Sequence, residues 1–286
     1  MRLQPDSLII DETSLDKKQN LEKNLIELRI GQLALVSTRL IVASKDNIVA
    51  GFRERPDYQK GRHNSINCVS FHDMTIQRSS TPTLTQPVAI KPYISNSTAA
   101  RDFNMMRYIN NHPSLPRTFE PIGFMRLDNG EISTITEFNQ GVTSCDTFLH
   151  RFNNKQIPEE DIRLMLNIGL VTLKSLHNNK ITHGDLQIKN TAFDASMSPR
   201  IIDTETMRIR TPDESSKFQF IRDVSNYIYS VEGEYNLEGR NTAIPEIIVE
   251  YLINPYLEDV NNIFPVSLQH SITDRINDIK QDLLKS

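Results

Sequence analysis

HGDLQIKN, at residues 183–190, is the most informative stretch of the sequence. It places an aspartate at 185 and an amide at 190, and a second aspartate follows at the end of IID, residues 201–203. Transfer of a γ-phosphoryl group requires a carboxylate that orients and deprotonates an attacking hydroxyl, together with oxygen ligands that hold magnesium on the phosphates. Asp185, Asn190 and Asp203 are side chains of the types that this chemistry needs.

The order HxD-x4-N, hydrophobic strand and Asp resembles the catalytic and metal-binding loops of the protein-kinase-like superfamily. The resemblance implies that Asp185 is the catalytic base and that Asn190 and Asp203 bind Mg²⁺. It also implies that His183 anchors the loop and that ATP is the phosphoryl donor. Taken alone, the motif has an alternative explanation, which is an ordinary polar loop that contains HGD by chance.

A second motif of the same superfamily lies upstream in the expected order. VAIK, at residues 88–91, resembles the strand whose lysine contacts the α- and β-phosphates, and it lies about 94 residues before Asp185. The resemblance implies that Lys91 contacts ATP and pairs with a carboxylate of the next helix, at a position that Asp102 occupies. The family usually has glutamate there. Because aspartate is shorter, either the helix lies closer to the strand or the ion pair is looser.

Two further matches follow the same order. ITEF, at residues 135–138, resembles the strand that leads into the hinge. Backbone groups of Glu137 and Phe138 would then bind adenine, and Thr136 would set the depth of the pocket. Asp223 resembles the aspartate at the start of the central large-lobe helix, which braces the catalytic loop.

Lys189 is a further candidate for the catalytic set, four residues after Asp185. In the family, serine/threonine kinases usually place lysine two residues after the base, where this chain has Gln187, and tyrosine kinases often place arginine at the position of Lys189. A cation here would stabilise the oxygens of the transferring phosphate. A lysine that faces solvent is the alternative interpretation.

The sequence departs from the superfamily pattern in three places. It lacks G-x-G-x-x-G, and the phosphate-covering loop is expected either near residues 61–65 or at the Ser/Thr-rich residues 79–85. Asp203 is followed by Thr-Glu in place of Phe-Gly, and about 20 residues separate it from Asp223, too few for a long regulated activation loop. HGD in place of HRD removes the arginine with which a phosphorylated loop would pair. The pattern is closest to atypical members such as RIO-like kinases, lipopolysaccharide-core kinases, and aminoglycoside and choline phosphotransferases.

The predicted fold class is α+β, in the form of a two-lobed protein-kinase-like fold. We expect an antiparallel sheet with one helix in the small lobe and a mostly helical large lobe. The predicted domains are an N-terminal extension at 1–45, a small nucleotide-binding lobe at 46–138, and a large catalytic lobe with a reduced activation segment at 139–286.

Apolar periodicity and turn signals predict the individual elements. Helices are predicted at 14–33, 98–111, 145–152, 158–179, 217–231, 244–253 and 267–285. Strands are predicted at 39–44, 47–52, 66–76, 87–93, 119–127 and 131–138, with short extended stretches at 181–186 and 199–204. Residues 78–86 are polar and turn-rich, and they are predicted to connect two strands.

Composition limits the class of protein. A net charge of −4 argues against a nucleic-acid binder that uses its whole surface. Cys68 and Cys145 are too few for a disulfide framework, each is expected to be a buried or half-buried residue, and a reducing cytoplasmic compartment fits best. No apolar run approaches the ~20 residues of a membrane span, and no signal peptide is recognised, although secretion without a signal stays open. The sequence names no oligomeric state.

The predicted function is that of a magnesium- and ATP-dependent phosphotransferase, an atypical serine/threonine protein kinase. A protein acceptor is favoured because about 20 residues separate the hinge from the helix at 158–179, which leaves few walls for a small-molecule hydroxyl acceptor. A kinase of sugars, amino-alcohols or antibiotics is the alternative. A pseudokinase or scaffold is another candidate, since the glycine-rich loop is missing and Asp102 replaces glutamate. An adenylyltransferase on the same fold is a third, and it would need extra basic residues over the phosphates, for which Lys60, Arg62 and Arg101 are available.

Overall fold

The protein is described by a computed structural model over residues 29–30, 40–45, 48–54, 69–78, 81–93, 95–126, 132–138, 141–150, 158–236 and 244–285. Helices and strands both occur throughout these ranges, which confirms the α+β class. The predicted helix at 14–33, the extension at 1–45 and the candidate loop at 61–65 lie mostly or wholly outside the described residues. The chain divides into two compact units, Met1–Tyr108 with Phe119–Asn139, and Ile109–Thr118 with Gln140–Ser286.

Seven strands form the sheet of the first unit. They are β1 Arg29–Ile30, β2 Leu40–Lys45, β3 Ile48–Glu54, β4 Ser70–Arg78, β5 Thr81–Tyr93, β6 Pro121–Arg126 and β7 Ile132–Glu137. Their order is β1-β2-β3-β4-β5-β7-β6, with antiparallel neighbours, and a parallel pairing between β1 and β6 closes the sheet into a barrel. The sequence predicted the antiparallel strands and missed this parallel closure. It also predicted a helix through residues 29–30, which form β1.

The turn-rich prediction for residues 78–86 is wrong over most of its length. β5 begins at Thr81 and pairs with β4 from there, with Leu84 opposite Ile76 and Thr85 opposite Thr75. Threonine favours the pleated surface of a strand, and Pro82 is tolerated near a strand start. The Ser/Thr-rich candidate for a phosphate-covering loop at 79–85 is therefore largely strand.

The helix after β5, α1, runs from Asn96 to Asn111. Ser95 stabilises its start, because its hydroxyl accepts a hydrogen bond from the amide of Thr98 at 3.2 Å. The predicted apolar face is buried and consists of Ala99, Phe103, Met106 and Ile109. Burying a side chain of the size of Phe103 contributes roughly 1.5–3 kcal/mol.

The end of α1 and the loop after it belong to the second unit, although the sequence assigned them to the small lobe. The amide of Ile201 donates to the carbonyl of Arg117 at 2.9 Å. Asn179 donates through its amide nitrogen to the hydroxyl of Ser114 at 3.0 Å. These bonds join residues 109–118 to the motif-bearing part of the second unit.

Helices dominate the second unit. They are α2 Cys145–His150, α3 Glu159–Asn178, α4 Lys217–Asn236, α5 Ile244–Ile248, a π-helical turn Val249–Ile253, α6 Asn254–Ile263 and α7 Val266–Leu283. Their apolar faces share one core. The close approach of α3 to α4 requires Gly169, because a Cβ there would lie 2.0 Å from the ring of Tyr227.

α6 was not predicted, since the sequence pattern ended a helix at 253. Pro255 lies in the first turn of α6, where a missing N–H and a fixed φ are compatible with a helix. The π-helical turn before it links α5 and α6 into one helical run. Among the helices of the described residues, none is long and apolar enough to cross a membrane.

Five short strands carry the polar motifs. They are β8 Thr143–Ser144, β9 Ile181–Thr182, β10 Thr191–Phe193, β11 Pro199–Ile201 and β12 Arg208–Ile209. β8, β10 and β11 form one small sheet, and β9 pairs with β12 in another. Residues 183–190 connect β9 to β10, and Asp203 follows β11, so both motifs lie at the ends of these strands.

Candidate functional site

Asp223 of α4 braces the loop that carries the HGD motif. Its side chain is fully buried, and its two oxygens accept hydrogen bonds from the amides of His183 at 2.6 Å and Gly184 at 2.8 Å. A buried carboxylate needs such donors to offset its lost hydration. This is the bracing role that the sequence pattern assigned to Asp223.

A buried polar network lies behind Asp223. Nε2 of His177 lies 3.5 Å from Oδ2 of Asp223, and Nδ1 of the same ring lies 2.5 Å from the hydroxyl of Tyr256. Burial, and then the negative charge of Asp223, raises the pKa of Tyr256 well above 10, so its hydroxyl stays protonated and can donate to Nδ1. The sequence did not single out His177 or Tyr256.

Glycine is required at position 184 by the backbone. Gly184 has a φ of +83°, and a Cβ there would lie 3.0 Å from the carbonyl oxygen of Thr206. Thr206 also donates its hydroxyl to the carbonyl of His183 at 2.7 Å. The segment after Asp203 therefore packs directly on the HGD motif.

Replacement of Gly184 by alanine is expected to destabilise the protein. The left-handed φ and the contact with Thr206 should together cost about 1–3 kcal/mol, measured as a lower free energy of unfolding in urea. Gly233→Ala is the matched control, because no atom lies within 4 Å of its Cβ position. That variant, inside a helix, should gain up to about 1 kcal/mol. Equal effects at both positions would contradict this account.

Asp185 and Asn190 lie in contact on this loop. Nδ2 of Asn190 donates to the carbonyl of Asp185 at 2.8 Å and lies 3.4 Å from Oδ2 of its side chain. Oδ1 of Asp185 accepts a shorter bond, 2.6 Å, from Nε2 of Gln187. Two neutral amides thus hold the carboxylate, and the amide oxygen of Asn190 is left to act as a ligand.

Asp203 is brought to the same loop by the backbone. The amide of Ile202 donates to the carbonyl of Asn190 at 2.9 Å, and the carbonyl of Ile202 lies 3.3 Å from Nε2 of His183. Asp203 itself has a φ of 60°, in the left-handed region. This conformation costs an aspartate about 1–2 kcal/mol, and such strain is concentrated at functional sites.

The donor chemistry of this pair fits magnesium. Asn190 and Asp203 offer amide and carboxylate oxygens, the hard ligands that Mg²⁺ prefers. Within the described part of the chain, no group of three or more His, Cys, Asp or Glu residues is placed to hold a metal ion. Mg²⁺ commonly uses one or two protein ligands and completes its shell with substrate phosphates and water.

The chain after Asp203 is short and firmly attached. β12 pairs with β9, and Arg210 donates from its amide to the carbonyl of Lys180 at 2.7 Å and from Nε to the hydroxyl of Thr182 at 2.9 Å. Only residues 210–216 separate β12 from α4. Within them, Asp213 accepts hydrogen bonds from the hydroxyl of Ser215 and from the amides of Ser216 and Ser215, and these bonds lower the pKa of its carboxyl. The whole segment from Asp203 to α4 is described, and it contains no long loop.

In the first unit, Lys91 and Asp102 form the predicted ion pair. Nζ of Lys91 lies 3.6 Å from Oδ2 of Asp102, whose side chain is 3% exposed. The same oxygen accepts a hydrogen bond from the hydroxyl of Tyr93, which in turn lies 3.3 Å from the hydroxyl of Thr134. The shorter aspartate is therefore supported by a tyrosine. Tyr93 was missed, although its place two residues after Lys91 on one face of a strand is a usable signal.

The candidate adenine contacts at Glu137 and Phe138 are restricted by the sheet. The amide of Glu137 donates to the carbonyl of Glu120 at 2.8 Å, and the amide of Phe138 donates to the carbonyl of Pro87 at 3.1 Å. Neither amide can therefore donate to an adenine ring without breaking one of these bonds. The hydroxyl of Thr136 lies 3.5 Å from the carbonyl of Ala89.

Lys189 lies in the 3₁₀ turn Ile188–Asn190, directly before the proposed magnesium ligand, and is half-buried. Among the described residues it forms no ion pair.

Cys145 is buried, as expected, and Cys68 lies outside the described residues. Burial raises the pKa of the Cys145 thiol to about 12. A hydrogen bond with Thr191 opposes this rise, and the negative charge of Asp146 adds to it. This excludes a thiolate nucleophile at Cys145 near neutral pH.

No protein-family model matches the chain, and no curated protein matches it either. The assignment of a function therefore depends on the residues and contacts described above.

Proposed function

We propose that this chain is an ATP-dependent phosphotransferase, an atypical member of the protein-kinase-like superfamily that phosphorylates serine or threonine hydroxyls of proteins. One observation supports the proposal most strongly. Asp185 contacts Asn190, and the backbone of Asn190 binds Ile202, which immediately precedes the strained Asp203. A backbone hydrogen bond thereby ties the segment that carries Asp203 to the loop that carries Asp185 and Asn190.

Each residue of the set has a defined task in this proposal. Asp185 orients the acceptor hydroxyl and takes its proton, and Lys189 stabilises the charge on the transferring phosphoryl oxygens. Asn190 and Asp203 would hold Mg²⁺, which when bound neutralises charge on the phosphates. Catalysis of this kind depends on positioning and electrostatics, because phosphoryl transfer needs little covalent help.

Lys91 and Asp102 belong to the first unit, and the proposal assigns Lys91 a contact with ATP. The buried Asp102 would hold the ammonium group of Lys91 in place for the α- and β-phosphates. Phosphate oxygens and the carboxylate then share one cation, which requires the pair to be loose enough for exchange. The 3.6 Å separation of Nζ and Oδ2 is compatible with that.

The test uses ATP labelled at either the α or the γ position, with Mg²⁺ and with casein as a generic acceptor. We expect γ-label on casein or on the chain itself, none from α-label, and none without Mg²⁺. Transfer of α-label would support an adenylyltransferase. Label on a small hydroxyl compound, with none on any protein, would overturn the choice of a protein acceptor.

Binding is measured separately from turnover. In a thermal-shift titration, ATP should raise the melting temperature. At an ATP concentration 100 times the dissociation constant, the folded state should gain about 2.7 kcal/mol of stability. No shift at millimolar ATP, with or without Mg²⁺, would favour a scaffold that works by contact and would overturn the proposed activity.

A further inference from the structure

The carboxylate of Asp185 is held asymmetrically. Its Oδ1 accepts a hydrogen bond of 2.6 Å from Gln187, whereas its Oδ2 has only a contact of 3.4 Å with Nδ2 of Asn190. That amide nitrogen makes its shorter bond, 2.8 Å, with the backbone carbonyl of Asp185. Since hydrogen bonds weaken beyond about 3.2 Å, Oδ1 is firmly engaged and Oδ2 is the less restrained oxygen.

Gln187 is fixed in place by its backbone neighbours. Its carbonyl accepts a hydrogen bond from the amide of Asn190 at 2.9 Å, which closes the 3₁₀ turn. The amide of the next residue, Ile188, donates to the hydroxyl of Ser230 on α4 at 2.9 Å, and the Ile188 side chain is buried. Because the peptide group that follows Gln187 is held at both its carbonyl and its amide, the side chain of Gln187 can be directed at a neighbour with little loss of entropy.

We propose that Gln187 is a positioning residue that engages Oδ1 of Asp185 and thereby presents Oδ2 to the acceptor hydroxyl. This inference rests on the proposed phosphotransfer. In that reaction the acceptor oxygen forms a bond to the γ-phosphorus, and the bond from that phosphorus to the β,γ-bridging oxygen breaks. The hydroxyl proton moves to Oδ2, and ADP leaves with the electron pair of the broken bond.

The neutrality of Gln187 separates its effect from nucleotide binding. A lysine at this position can be shared between the base and the transferring phosphate, whereas an uncharged amide cannot neutralise a phosphate. Removing the amide should therefore disturb the orientation of the base and leave the affinity for ATP unchanged. This predicts an effect on kcat without an effect on the KM for ATP.

The experiment compares two substitutions of similar length, Gln187→Met, which removes the donor, and Gln187→Lys, which restores one. We expect Gln187→Met to lower kcat by about 10- to 100-fold, with the KM for ATP and the melting temperature unchanged. Gln187→Lys should recover most of the lost rate. A Gln187→Met enzyme with the kcat of the wild type would overturn the inference. So would equal losses in both variants with a lowered melting temperature, which would mark Gln187 as a packing residue.

The same measurements distinguish the inference from the function on which it rests. If the wild type transfers γ-phosphate, Asp185→Ala does not, and Gln187→Met is fully active, only the positioning role is lost. If the wild type transfers no phosphate, or if Asp185→Ala keeps full activity, the proposed function fails and the role of Gln187 fails with it.

Discussion

Replacing Asp185 by asparagine is expected to lower the rate of phosphoryl transfer by about 100- to 10,000-fold, the range for loss of a general base. Asparagine keeps the shape of the side chain and an oxygen that can accept the hydrogen bond from Gln187. It lacks the negative charge that takes the proton of the acceptor. The fold should persist, so initial rates with γ-labelled ATP at saturating concentration report the chemical step.

Asp259→Asn is the matched control for that variant. Asp259 lies on α6, where a hydrogen bond from Lys174, opposed by partial burial, lowers the pKa of its carboxyl. It takes no part in the loop of residues 183–190, so its loss should leave the transfer rate unchanged. If Asp185→Asn transferred phosphate as fast as Asp259→Asn, Asp185 would not be the base.

The sequence could predict those features of the site that depend on residue type and order. The contact of Asp185 with Asn190 follows from their spacing on one loop, and the pairing of Lys91 with Asp102 follows from a strand and the helix after it. Asp223 was singled out by its resemblance to the aspartate at the start of the central large-lobe helix, and the structure shows it buried and bonded to two backbone amides. The helix at 158–179 was predicted to within a residue at each end, since its apolar stripe and acidic first turn agree.

Features that depend on approach between distant segments could not be predicted. Glycine at 184 is needed because the carbonyl of Thr206 comes close to it, and no local sequence pattern predicts that contact. The parallel pairing of β1 with β6 joins residues almost 100 positions apart. Ile109–Thr118 comprise the end of α1 and the loop after it, but a backbone hydrogen bond at Arg117 connects this segment to β11. In each case tertiary interactions override the local signal.

Replacing Lys91 by methionine is expected to abolish productive ATP binding and also to destabilise the first unit. The substitution removes the ammonium charge that faces Asp102, a carboxylate that is almost fully buried. Breaking a buried ion pair from one side costs about 3–5 kcal/mol. Lys91 is 18% exposed, and the Tyr93 hydroxyl still donates to Asp102. We therefore expect the free energy of unfolding to fall by about 2–3 kcal/mol, which corresponds to a melting temperature lower by roughly 5–10 °C.

The double variant Lys91→Met with Asp102→Asn separates the two effects. Asparagine removes the buried negative charge and keeps an oxygen that accepts the Tyr93 hydrogen bond, so most of the lost stability should return. The phosphate-binding cation is still absent, so an ATP titration should still give no thermal shift. Lys285→Ala, at an exposed i,i+3 ion pair, should change neither quantity. If the double variant regained ATP binding together with its stability, Lys91 would be a structural lysine, and the nucleotide site would have to be built without it.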